Sequence, residues 1–244
     1  MKHDDITIVL QGPLNTRGGS MARGVYNIPT YLQFVGTAII STWKDPSIKP
    51  SKRFLKNNNT TYIEDDPKKY SKMVNWMNMN LQIVSSLNGL KKVKTKYAIK
   101  VRCDEKYEDL SVFIDTMKKN PHLLTTQEPF YRHAQKRHWI SDHVMGGLTT
   151  KMAEMFELAY DRCYNHEVPM EPGSEYAPEH LLRDCFDGDN VWVSIEDFGD
   201  FVFKIQSDRI TRSMLRKMKE IAPDSPLAIR RENYPLYQYK KKEF

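Results

Sequence analysis

The chain has 244 residues, 40% hydrophobic and 28% charged, with a net charge of +6 at neutral pH. That balance excludes a disordered chain, and no run of about 18 apolar residues provides a transmembrane helix. Three scattered cysteines with no CxxC pair exclude a disulfide framework and a cysteine-built zinc site, and together with an N-terminus (MKHDDITIVL) unlike a secretory leader they point to a reducing cytoplasm.

The first half reads as alternating strands and helices. ITIVLQGP (6–13) is a β-rich apolar run stopped by Gly12-Pro13, and GTAIISTWKDP (36–46) repeats the design, with Ser41-Thr42 after its apolar core and a turn at Asp45-Pro46. TTYIEDDP (60–67) is a third strand. VNWMNMNLQIVSSLNGL (74–90) has helical period, with Trp76, Met79 or Asn80, Ile83, Val84 and Leu87 on one side, Asn75, Asn78, Gln82 and Ser85 on another, and Gly89 placed as a C-terminal cap. In KYAIKVRCDE (96–105) side chains alternate: Tyr97, Ile99, Val101 and Cys103 share an apolar face, while Lys100, Arg102 and Asp104 share the other.

The second half is less regular. HLLTTQ (122–127) reads as a short strand, and residues 132–164 as a polar stretch that turns through Gly146-Gly147 into a helix from Thr149. Residues 174–186 read as a helix with Pro178 in its first turn, and VWVSIEDF (191–198) as a strand. SDRITRSMLRKMKEIAP (207–223) reads as an amphipathic basic helix ahead of a charged tail. Strands joined by helical connections imply an α/β fold with a mostly parallel sheet, in which ligands meet the carboxyl ends of the strands. Gln11-Gly12-Pro13, Ser41-Thr42-Trp43 and Asp104-Glu105 should then line one edge. With no internal repeat or clear linker, one continuous domain is expected: 1–110 as nucleotide-binding half, 111–206 as acceptor and catalytic half, 207–244 as basic helix and tail.

No GxxxxGK[ST], GxGxxG or GxSxG occurs, so a P-loop, a dinucleotide fingerprint and a hydrolase elbow are excluded on motif grounds. His133, His138 and His143 recur at five-residue steps, which does not gather them as HExxH would. What remains is a strand-end carboxylate, Asp104, with Lys100 and Arg102 on its face. A carboxylate can hold Mg²⁺ or Mn²⁺ against a diphosphate, and the cations can neutralise it. Asn78 and Gln82, one helical turn apart, either present amides to one ligand or form a cap and a solvated face. For a base that deprotonates an acceptor hydroxyl, Asp142 (in SDH) and Glu179 (in PEH) are the candidates. Asp142 is preferred, because it precedes the Gly-Gly pair where an acceptor can approach.

Taken in order, ITIVLQGP, IISTWKD, NMNLQIVSSLNGL, YAIKVRCDE, SDHVMGG and APEHLL resemble the WavE-type lipopolysaccharide-synthesis proteins over roughly residues 6 to 186. The resemblance implies a GT-A glycosyltransferase with a Rossmann-like sheet, a nucleotide-diphosphate sugar as donor and a metal site of the DxD kind. It places Gln11, Gly12 and Pro13 beside the nucleotide, Thr42 and Trp43 near its base, and Asp104 as metal ligand. Trp43 either stacks on the base or packs in the core. The motif here is RCDE, so Arg102 stands where the first carboxylate of DxD should be.

A basic chain favours a polyanionic acceptor. The basic helix and tail lean the reading towards DNA, with a hydroxymethylated pyrimidine of viral DNA as acceptor and Arg209, Arg212, Arg216 and Lys217 on its phosphates. The alternative acceptor is the core of lipopolysaccharide or another surface glycan. An alternative of another class is a nucleic-acid-binding module that has kept the fold without the catalysis.

Overall fold

The computed structural model describes residues 2–14, 24–44, 49–74, 78–127, 140–168, 178–205 and 208–211. Four β-rich runs make the parallel strands β1 (His3–Gln11), β2 (Val35–Trp43), β3 (Thr60–Asp65) and β4 (Tyr97–Arg102). With β6 (Leu124–Gln127), β7 (Val144–Leu148) and β8 (Asn190–Val193) they form a seven-stranded sheet of order β3-β2-β1-β4-β7-β6-β8. Only β7 runs against its neighbours, so the sheet is mostly parallel, as expected. A small antiparallel sheet joins β5 (Lys106–Tyr107), β9 (Phe201–Ile205) and β10 (Asp208–Thr211).

Both faces of the main sheet are covered. Ile6, Ile8 and Leu10 pack in one core with Ile28 and Tyr31 of α1 (Gly24–Tyr31) and with Phe113, Ile114 and Met117 of α4 (Ser111–Lys119). Short α2 (Lys52–Asn57) adds Phe54 and Leu55 to its rim. Val9, Ala98 and Met145 face the other core. There they meet Ile83, Val84 and Leu87 of α3 (Met79–Leu90), Met152, Met155 and Phe156 of α5 (Thr149–Tyr164), and Leu181 and Leu182 of α6 (Pro178–Cys185). Burial on both faces is why these strands are near-continuous apolar runs. It also costs Lys100 its access to water: on the expected polar face of β4, it is wholly buried.

Several local expectations change. Gly89 lies inside α3, which is capped at Lys91, and a Cβ on Gly89 would come within 2.4 Å of Val9 Cγ1. The glycine therefore serves close helix–sheet approach, not termination. Gly146-Gly147 is not a turn but the middle of β7. A Cβ on Gly146 would lie 2.8 Å from both Met117 Sδ and Phe113 Cε1, so its bareness makes room for α4. The strand foreseen at 191–198 stops at Val193 and passes into a short 3-10 turn at Ile195–Phe198. Within the basic helix foreseen at 207–223, Asp208–Thr211 is instead strand β10, because β9 offers it a ladder; the remainder lies outside the described residues. Trp76 and Asn75 also lie outside them.

Candidate active site

Going outwards from β1, β2 and β3 follow on one side while β4 lies on the other, so the strand order reverses between β1 and β4. A crevice at the carboxyl ends of such a pair is where open α/β sheets bind ligands. Gln11 ends β1 and is paired there with Ser41 on one side and Arg102 on the other. Among the described residues, buried Gln11 Oε1 and Thr42 Oγ1 find no hydrogen-bond partner. Gly12 follows with φ +108°, a conformation that favours glycine, and among the described residues a Cβ there would meet nothing within 4 Å. The strand end thus combines orphaned polar atoms with unfilled space, and buried orphans of this kind call for a partner. Pro13 is exposed beside them. Trp43 packs in the core, its ring edge-on to Tyr70 at 6.0 Å.

Beside Gln11 the polar face of β4 meets the residues that lead into β7. Arg102 is the centre. Its Nε and Nη2 donate to Asp104 Oδ1 and Oδ2, each at 3.1 Å, and Nη1 donates to Asp142 Oδ2 at 3.3 Å. The other face of the strand-end turn brings Glu105 Oε1 within 3.4 Å of Nε. Gln82, from α3, donates to Asp142 Oδ2 at 2.6 Å, and the Lys100 ammonium donates to the Asp142 backbone carbonyl. Asn78 stands exposed at the head of α3 with φ +60° and makes no side-chain cap bond. Glu179 is half-buried in the first turn of α6. The structure therefore gathers Gln11, Gln82, Lys100, Arg102, Asp104 and Asp142, and leaves Asn78 and Glu179 to other elements.

Burial alone would push the Asp142 carboxyl up. The charges of His143, Arg102 and Lys100 and the Gln82 bond outweigh it and hold the group well below the usual carboxylate range. Burial lowers Lys100 to about 8, against the pull of Asp142. His143 loses proton affinity to burial but gains more from Glu105 and Asp142, and ends raised.

Beneath lies a layer whose members, Glu105 and His143, were visible in the sequence but whose contact was not. His143 Nδ1 lies 2.5 Å from Glu105 Oε1, and Tyr107 Oη donates to Glu105 Oε2 at 2.8 Å. Glu105 is fully buried. Its signal was present, since it neighbours Asp104 in RCDE and His143 neighbours Asp142 in SDH. What was hidden was their pairing across 38 residues. Gln127, at the end of β6, approaches Tyr107 Oη at 3.2 Å, while its buried Nε2 finds no partner among the described residues.

A metal of the DxD kind needs carboxylate oxygens turned towards it. Both oxygens of Asp104 are turned towards one guanidinium. Among the described residues, no group of three His, Cys, Asp or Glu is arranged to hold a metal ion. The residues present do not fit the metal that the sequence led us to expect; Arg102 has its position.

The sequence matches the model of a family described as WavE lipopolysaccharide synthesis over residues 6–156. The chain belongs to the WavE family. No curated protein shows significant sequence similarity to it. Among solved structures, this WavE protein is similar to an active-site variant of LgtC, with TM-score 0.50 and 10% identity over 77% of this chain and 72% of that one. Another LgtC structure, a galactosyltransferase with donor and acceptor sugar analogues, gives TM-score 0.49 at 10% identity with the same coverage. GlyE, a glycosyltransferase of Streptococcus pneumoniae, gives 0.48 at 9% identity over 80% and 46% of the two chains. These likenesses are of fold. Family and fold together give this WavE protein a GT-A-type α/β fold within a family described by lipopolysaccharide synthesis. Among the described residues no helix is long and apolar enough to cross a membrane.

Proposed function

We propose that this WavE protein transfers a sugar from a nucleotide-diphosphate donor to a hydroxyl of lipopolysaccharide core or another surface glycan. The acceptor oxygen bonds to the anomeric carbon as the bond from that carbon to the diphosphate breaks. The electron pair leaves on the diphosphate, and the hydroxyl proton passes to a base. The observation that carries the donor site is the orphaned Gln11 Oε1 at the end of β1, beside the open space at Gly12. A nucleotide supplies the donors and the volume that such a site lacks. The pairing of Arg102 with Gln11 across the switch point supports Arg102 as the cation for the diphosphate.

The acceptor half of the edge ends at Gln127, whose unpartnered amide nitrogen suits a hydroxyl-rich ligand. The lean towards DNA has no support. It rested on a basic helix, and Arg209 sits on strand β10, while Arg212, Arg216 and Lys217 lie outside the described residues. The family points instead to a glycan. Asp142 and Glu179 stay the candidates for the base. The depressed proton affinity of Asp142 makes it a weak one at neutral pH, which suits it better to holding Arg102 and Gln82 in place.

The test is mass spectrometry of lipopolysaccharide core and of hydroxymethylated DNA, each incubated with the protein and a panel of nucleotide sugars. A sugar mass on the glycan is expected. Addition to DNA alone, or to neither, overturns the reading.

A further inference from the structure

We infer that Arg102 is the resident cation of the donor site, doing for the diphosphate what a divalent metal does in a DxD enzyme, so that donor binding and transfer proceed without a metal. The inference rests on the proposed donor reading and deepens it.

Position comes first. Arg102 ends β4 at the strand-order reversal, directly across from Gln11 with its orphaned oxygen. Anchorage comes second. A guanidinium has five N–H donors in a fixed fork. One edge closes side-on over Asp104, and Nη1 takes Asp142, which Gln82 steadies from α3. The carboxylates that would bind a metal thus serve as the mount for an organic cation. Accessibility comes third. Among the described residues three of the five N–H groups are committed in these bonds, which leaves one on each terminal nitrogen, and the side chain is 26% exposed. Two N–H groups on the outer edge of a guanidinium match two oxygens of a phosphate.

The charges agree. Lys100 and Arg102, with His143 when protonated, stand against Asp104, Glu105 and Asp142. The carboxylates already have their cations, and a divalent ion at Asp104 would be pressed against the guanidinium. The diphosphate that departs on transfer carries the electron pair of the broken bond. A fixed fork already aimed at it stabilises that charge with little reorganisation.

The experiment is calorimetry of the intact protein with UDP, GDP, CDP and ADP, in excess EDTA and in excess Mn²⁺. One nucleoside diphosphate is expected to bind with the same affinity in both buffers. Arg102→Lys keeps the charge but loses the fork, and should weaken that binding by about 10- to 100-fold in both. Asp104→Asn should cost less than about tenfold, because Asp142 still holds the guanidinium, whereas a metal ligand could not be spared. Binding lost in EDTA and restored by Mn²⁺ overturns the inference and leaves the donor reading standing. So does wild-type affinity in Arg102→Lys. If none of the four binds in either buffer, the donor reading fails and the inference falls with it. The buffer comparison uses the unmodified protein, so it decides even if a variant does not fold.

Discussion

Lys100→Met tests the price of putting a cation on a strand buried on both faces. Burial lowers the Lys100 ammonium from 10.5 to about 8. At about 1.4 kcal/mol per pKa unit, the charged form costs the folded state about 3 kcal/mol. The sign follows from proton counting. Between the folded and unfolded values the unfolded chain holds the proton and the native one does not, so the Lys100 contribution to stability rises with pH through that window. Below about 8 the full penalty is present. Methionine of similar length removes the titration, and leaves the Asp142 carbonyl short of a donor at a cost of about 1–3 kcal/mol that does not vary with pH. The stability of the wild type relative to Lys100→Met should therefore climb by about 3 kcal/mol from neutrality to about pH 10, or roughly 6–12 °C in melting temperature for a chain of this size. Urea unfolding of both proteins across that range measures it. Burial also raises the thiols of Cys163 to about 12 and Cys185 to about 11, so both proteins lose stability in strong alkali; the difference between them isolates Lys100. A difference that stays flat from neutral to alkaline pH would refute the reasoning.

Gly89→Ala should destabilise the protein by about 1–3 kcal/mol, although alanine is the better helix former by about 1 kcal/mol, because the new Cβ meets Val9; chemical denaturation measures it, and a gain in stability would show that the helix can shift. His143→Gln should lose stability against the wild type at acid pH and recover as pH rises, since the raised proton affinity of His143 contributes stability below its unfolded value that disappears as pH passes the folded one; melting curves from about pH 5 upward test it, and a deficit independent of pH counts against the Glu105 pairing. Asp142→Asn should weaken nucleotide binding and transfer together, by less than about tenfold, because Asp104 still holds Arg102 by two bonds; intact nucleotide binding with transfer lost would instead identify Asp142 as the base. Asp65→Ala frees Tyr70, Lys69 and Asn88 at the end of β3 and should cost about 1–3 kcal/mol in unfolding experiments; no loss would mean that those bonds are replaced by water.

Much of this was open to a local reading. Apolar runs ended by Gly12-Pro13 or by polar residues identify β1, β2 and β4, and helical period identifies α3 and α5, because burial of one element's side chains imprints a pattern on its own segment. Alternation along KYAIKVRCDE puts Lys100, Arg102 and Asp104 on one face, and the structure keeps them there. The same alternation cannot say what that face meets. Arg102 reads as a free cation and Asp104 as a free ligand until β7 and α3 bring Asp142 and Gln82 to them. Only then does the guanidinium become fixed and both Asp104 oxygens engaged. The glycines show the same limit. Gly89 and Gly146-Gly147 look like punctuation, since glycine permits turns and caps. Their use is set by Val9, Phe113 and Met117, which stand far away in the chain. Asp208–Thr211 falls in an amphipathic helical spacing and becomes a strand because β9 supplies hydrogen bonds that no local pattern reveals. Sequence by itself determined which segments are buried and where polar residues break that burial. Tertiary structure decided which charges are paired, because pairing depends on contacts between segments that sequence spacing does not encode.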